Sequence, residues 1–217
     1  MYKILKKSLL VVSLLILGSG CNNSSSKAQV VENKVESSHK TENKTVDVKP
    51  KVLNMAKEAA EVFYSTFQDT AKIGPNGKEM ILVFGANTDP YTMKLKEDIF
   101  KSKEIQARLQ NDFSSYYFKA SDNLRCKLYH EGEYMDVDTK TLISIYGISG
   151  TPTIIFTDMK GKAVIVVPGY MPTKQFLVTM DFMQSNKWKG KDRKNGEVYQ
   201  ALKDFYLSNG IKIKKAK

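Results

Sequence analysis

Two cysteines, two histidines and a modest set of carboxylates and hydroxyls carry whatever chemistry these 217 residues can perform. Cys21 and Cys126 are separated by about half the chain, which excludes a Cys-x-x-Cys redox pair, a cysteine-built zinc cluster and a disulfide scaffold. His39 and His130 have no second histidine or cysteine at ligand spacing, so neither a metal site nor a cofactor is expected. Glu131 with Glu133 and Asp136 with Asp138 look like paired carboxylates, but turn and capping positions account for them. The segment Asp89-Pro90-Tyr91-Thr92 is more informative. Asp before Pro reads as an N-cap followed by the first helical residue, because the cap oxygen accepts backbone N–H groups that have no helical partner and its charge suits the helix dipole. No catalytic residue is assigned.

The first cysteine closes a targeting segment. Lys3, Lys6 and Lys7 precede an apolar run from Leu9 to Leu17, and Gly18-Ser19-Gly20 lead into Cys21. The run is far shorter than the ~20 apolar residues a spanning helix requires, so residues 1–20 read as an export signal. Small residues ending at a cysteine resemble the lipobox of bacterial lipoproteins, with Gly18 at the place where that motif usually has Leu. The resemblance implies diacylglycerol on the Cys21 thiol, cleavage before it, and a lipid-anchored protein of the bacterial cell envelope facing the periplasm or the outside. Residues 21–50, rich in Asn, Ser, Lys, Glu and Thr and free of aromatics, read as a disordered tether that reaches ~30 Å on average.

Charge then separates by region. The formal net charge is +11, yet residues 51–186 hold 16 basic and 16 acidic side chains, while residues 187–217 hold ten basic and three acidic. Basicity belongs to this C-terminal tail, which is expected to solvate the protein or to meet anionic lipid or an acidic partner. Export argues against nucleic acid as a partner. Trp188, set among lysines, is read as either packed or interfacial.

The middle of the chain supplies alternating elements. Apolar positions between Val52 and Ala71 have helical spacing, and Met80–Phe84 is a continuous apolar run of the kind buried on both faces of a sheet. A helix follows Asp89, with a second helical stretch carrying Ile105, Ala107 and Leu109. Strands are expected at Tyr116–Ala120 and Leu124–His130, the latter with Leu124, Cys126 and Leu128 on its apolar face. Asp138-Thr139 caps a further helix. Thr153–Phe156 and Ala163–Val167 flank a turn at Lys160-Gly161-Lys162 and read as a hairpin, followed by a helix over Lys174–Met183 and a short amphipathic helix stopped by Asn209-Gly210.

This order, the turn Asp89-Pro90-Tyr91-Thr92 opening a Lys/Leu-rich helix, Gly150-Thr151-Pro152-Thr153 ahead of a strand, and Val167-Pro168-Gly169-Tyr170 after the hairpin resemble thioredoxin-like envelope proteins over residues 52–184. The resemblance implies an α/β, thioredoxin-like three-layer sandwich with a mixed central sheet and an N-terminal helix extension, occupying residues 51–186. It also implies a cis peptide at Thr151-Pro152 and a loop there that pairs with an extended polypeptide. Where the family carries two cysteines, this sequence has Asp89 and Thr92. Disulfide exchange needs a thiolate and a resolving thiol. The expected function is therefore a redox-inactive, membrane-anchored protein that binds a protein or peptide at Thr151 and Pro152. Two alternatives stand beside it: envelope thiol chemistry through Cys126 or a cysteine-bearing paralogue, and a structural envelope component docking through its basic tail. Cys126, on an apolar strand face, reads as an inert core residue.

Overall fold

The structure is a computed structural model and describes residues 49–212. The signal, Cys21 and nearly all of the tether lie outside these residues, as do the last five positions.

The described residues begin with α1 (Lys49–Ser65), followed by a two-residue strand β1 (Lys72–Ile73) and the central strand β2 (Met80–Gly85). Two helices follow, α2 (Pro90–Lys101) and α3 (Lys103–Asn111), then β3 (Ser114–Lys119) and the hairpin β4 (Arg125–His130) with β5 (Glu133–Asp138). After α4 (Thr139–Ile145) come the expected hairpin β6 (Thr153–Thr157) and β7 (Ala163–Pro168), then α5 (Thr173–Gln184) and α6 (Glu197–Ser208).

The main sheet has the order β3-β2-β6-β7 and is mixed: β2 pairs parallel with β3 and antiparallel with β6, and β6 pairs antiparallel with β7. All six residues of β2 are buried, and its side chains alternate between two cores. Ile81 and Val83 join Leu95, Ile99, Phe113, Phe176 and Phe182, contributed by the helices α2 and α5 and the strand-entering Phe113. Met80, Leu82 and Phe84 face Ile73, Leu128, Val137 and Leu142 on the opposite side. The fold is thus an α/β, thioredoxin-like fold with a mixed central sheet and an N-terminal helix. One face of that sheet is covered by helices, the other by a small sheet of order β1-β4-β5 together with α4.

Three features depart from the sequence reading. α1 stops at Ser65 rather than running to Ala71, because the chain turns there and the Gln68 N–H bonds the Ser115 carbonyl of β3 at 2.8 Å. β5 carries no apolar alternation, having one buried side chain, Val137, and exists through its antiparallel pairing with β4. Leu124 lies ahead of β4 and is exposed, while Cys126 and Leu128 do point into the core.

The segment beyond residue 186 packs onto the domain. Trp188 is buried, with Nε1 donating to the Met183 carbonyl at 2.9 Å, and Val198, Leu202 and Ile211 are buried as well. Tyr199 and Arg193 hydrogen-bond the outer edge of β7 at Val166 and Ala163, covering backbone groups that an edge strand otherwise exposes. The lysines expected to form a basic tail therefore decorate a folded segment up to Lys212. Lys214, Lys215 and Lys217 lie outside the described residues.

Candidate functional site

The end of β2, the start of α2 and the loop before β6 meet because β2 and β6 are neighbours in the sheet, with Phe84 opposite Thr153. Gly85 ends β2, and the turn after it closes with Asp89 N–H donating to the Ala86 carbonyl at 3.1 Å. Glycine is required by space: a Cβ at position 85 would stand 2.7 Å from Thr92 Cγ2 and 2.8 Å from the Tyr117 hydroxyl.

Asp89 caps α2 as the sequence reading expects. Its carboxylate accepts from Tyr91 N–H at 3.1 Å, Thr92 N–H at 3.2 Å and the Thr92 hydroxyl at 2.6 Å. Thr92 is fully buried, and its Oγ1 also accepts from Ala86 N–H at 3.2 Å. Partial burial pushes the Asp89 carboxyl up, but the hydroxyls of Thr92 and Thr151 and the N–H groups of Tyr91 and Thr92 together hold it below the usual carboxylate range. Asp89 and Thr92 thus form one hydrogen-bonded pair at the start of α2.

The Thr151-Pro152 bond is cis, as the resemblance implied. The Pro152 carbonyl accepts from Gly169 N–H at 2.7 Å, and Thr153 Oγ1 donates to the Gly150 carbonyl at 2.7 Å, so the residues around Thr151 are fixed. Among the described residues, the N–H and C=O of Thr151 make no hydrogen bond. On α2, Tyr91 is 60% exposed and Met93 51%. Tyr170, just beyond β7, hydrogen-bonds Asp98 of α2 and lies under Lys94, whose Nζ is 5.2 Å from the ring centroid.

A second arrangement adjoins the turn and has no local signal in the sequence. Lys96 Nζ lies 5.1, 5.2 and 5.0 Å from the ring centroids of Phe63, Tyr64 and Tyr117, and donates to Asn87 Oδ1 at 3.0 Å and to the Tyr64 hydroxyl at 3.3 Å. The rings come from α1 and β3, so only tertiary packing assembles them. Beneath them the Tyr117 hydroxyl is buried without a partner among the described residues, and burial makes its proton hard to remove.

Cys126 lies elsewhere, in the core beneath the main sheet, 5% exposed. Burial, reinforced by the charge of Asp138, pushes its thiol above the ordinary range, the opposite of what activates a cysteine. His130, at the end of β4, belongs to neither arrangement, and no group of metal-ligating side chains exists among the described residues.

Residues 66–184, more than half of the chain, match the family of thioredoxin-like domains. The chain is a member of that family. A thioredoxin-fold protein from Helicobacter pylori is 30% identical, superposes with a TM-score of 0.65, and is covered over 98% of its length by 71% of this chain. A thioredoxin from Thermus thermophilus is 16% identical with a TM-score of 0.39, over 54% of this chain and 90% of that one. No curated protein matches. In this thioredoxin-like domain the helix-opening turn offers a carboxylate and a hydroxyl bonded to each other. Neither can attack a disulfide or resolve a mixed disulfide, so the arrangement can accept and donate hydrogen bonds but cannot exchange thiols.

Proposed function

We propose that this thioredoxin-like domain is a lipid-anchored protein of the bacterial cell envelope that holds an extended protein or peptide segment without performing thiol–disulfide exchange. The observation that carries the reading is the pairing of Asp89 with Thr92 at the start of α2, together with a Thr151 whose backbone groups make no hydrogen bond among the described residues. An extended polypeptide pairs with such groups as an added strand would, which requires no sulfur. Attachment through lipidated Cys21 belongs to the same reading, and the lysines of residues 187–217 favour anionic lipid nearby. Envelope thiol chemistry through Cys126 is disfavoured by the burial of that thiol.

The test is an insulin-reduction assay with dithiothreitol on the full chain and on Cys126→Ser, alongside crosslinking in intact cells with recovery of the partner. The reading expects no reductase activity in either protein and a protein crosslinked near Thr151. Turnover that depends on Cys126 would overturn it.

A further inference from the structure

Next to the turn, α1 and α2 leave an open groove of about 430 Å³ lined by Ala59, Ala60, Phe63, Met93 and Phe100, with Asn87 and Lys96 at the end nearest Asp89. The groove is largely apolar, and two exposed apolar side chains, Tyr64 and Met93, line it. Exposed apolar surface gathered at one place marks a contact site more often than a scatter of single residues does.

Its charges are unevenly balanced. Glu97 is paired with Lys101, and on the α1 side Lys57 is paired with Glu61. Lys96 is different: its ammonium is held by three ring faces, a phenol and an amide, and no carboxylate among the described residues pairs with it. A cation held at one end of an apolar groove complements an apolar group with an anion beside it.

Length decides between kinds of occupant. From Met93 to Phe100 along α2 the groove runs roughly 10 Å, at ~1.5 Å per residue. This accommodates one large side chain and falls short of the ~15 Å of an acyl chain crossing half a bilayer. Asn87, two residues before Asp89, ties the cationic end of the groove to the turn.

Resting on the peptide-binding reading above, we infer that the α1–α2 groove is the specificity pocket of that site. It takes a large apolar side chain of the bound polypeptide, with a neighbouring Asp or Glu of the same segment set against Lys96.

Fluorescence anisotropy on the full chain in detergent tests this with labelled peptides on a Ser/Thr/Gly host, carrying Phe and Asp side by side in either order, Phe alone, Asp alone, or neither. The Phe-Asp peptides are expected to bind at least about tenfold tighter than the host, since burying a Phe side chain is worth this much or more. The carboxylate contributes about three- to fivefold of preference. Ala60→Phe, which fills the groove, abolishes the Phe preference. Lys96→Met, which keeps an apolar stem against the rings, abolishes the Asp preference alone. Circular dichroism of both variants verifies that α1 remains folded, and a variant that has lost helix is replaced by Met93→Ser or Lys96→Gln. Binding of all peptides alike overturns the pocket while leaving peptide binding standing, and binding of none overturns both. Displacement of the peptides by decanoate that itself binds more tightly, or concentration-dependent self-association abolished by Ala60→Phe, overturns the inference in favour of an acyl chain or a second copy.

Discussion

The Thr92 hydroxyl donates to the Asp89 carboxylate at 2.6 Å across the first turn of α2, and the same oxygen accepts from Ala86 N–H. The pair therefore satisfies groups of the helix start and of the loop before it. Asp89→Ala should lower stability by ~1 kcal/mol, the usual cost of a lost N-cap, and Thr92→Val by ~1–2 kcal/mol because two polar groups lose a partner. The double variant should cost less than the sum, since both changes break one shared bond. Urea denaturation measures all three. The folded Asp89 carboxyl titrates below its unfolded value, so its contribution is present above the ordinary carboxylate range and is lost as pH falls through the folded value. Asp89→Asn should accordingly converge with the parent in acid. A constant gap from neutral to acid pH would refute this account of the cap.

Replacing the pair by thiols supplies what the turn lacks. Asp89→Cys with Thr92→Cys places a thiol at the N-cap, where helix N–H groups favour the thiolate, and a second one turn later, buried where Thr92 now sits. The double variant should catalyse insulin reduction by dithiothreitol, whereas either single variant should not turn over. Failure of a folded double variant would mean that two thiols at these positions are not sufficient for disulfide exchange in this turn.

The start of α2 and the central strand were legible in the sequence because their signals are local. Asp-Pro marks a helix start by capping chemistry, and Met80–Phe84 marks a two-sided strand by its unbroken apolar run. The small sheet was not legible. β1 has two residues and β5 reads as a polar loop, and both form strands only because β4 offers them a ladder. The lysine among three rings is a tertiary event joining residues 63, 64, 96 and 117. The basic end of the chain misled for a related reason: its lysines alternate with Trp188, Val198 and Leu202, and burial of these apolar residues outweighs the polar composition.

Glu79 introduces a pH dependence of the opposite sign to that of Asp89. Burial raises its carboxyl to about 7, offset in part by Lys189 and reinforced by Asp158. Its folded value lies above its unfolded one, so the protonated group favours the folded state. That advantage is complete below the unfolded value of 4.5 and disappears as pH rises through about 7. Glu79→Gln should therefore match the parent near pH 4 and exceed it near pH 8, by ~1–2 kcal/mol after allowing for solvent screening of a half-buried group. Thermal unfolding at the two pH values provides the measurement, and an equal effect at both would rule the mechanism out.

Anchoring through Cys21 has its own readout. Cys21→Ala removes the thiol that the lipobox-like segment would present for acylation, and the variant should move from the membrane to the soluble fraction on cell fractionation. The basic end of the chain alone should retain only a salt-sensitive remainder, because its interaction with anionic lipid is screened within a Debye length. Unchanged partitioning that resists high salt would refute lipid attachment at this position.

Arg193 locks the end of the chain to the domain. Its guanidinium is 2.7 Å from Asp158 Oδ2, donates to the Ala163 carbonyl at 3.1 Å and lies 5.4 Å from the Trp188 ring centroid. The side chain of Asp158 is only 14% exposed, and its other oxygen accepts from the N–H groups of Lys160 and Lys162 in the β6–β7 turn. Arg193→Ala leaves a mostly buried carboxylate without its cation and an edge carbonyl without its donor, at an expected cost of ~2–3 kcal/mol. Arg193→Lys should recover only part of this, because an ammonium cannot serve both acceptors in the fork geometry of a guanidinium. Trp188 is the sole tryptophan, so its emission reports the segment directly. In Arg193→Ala it should shift to the red at urea concentrations where the helical circular dichroism signal is still intact, as residues 187–196 loosen before the core does. Coincident transitions at the parent's midpoint would show that Arg193 is not what holds this segment.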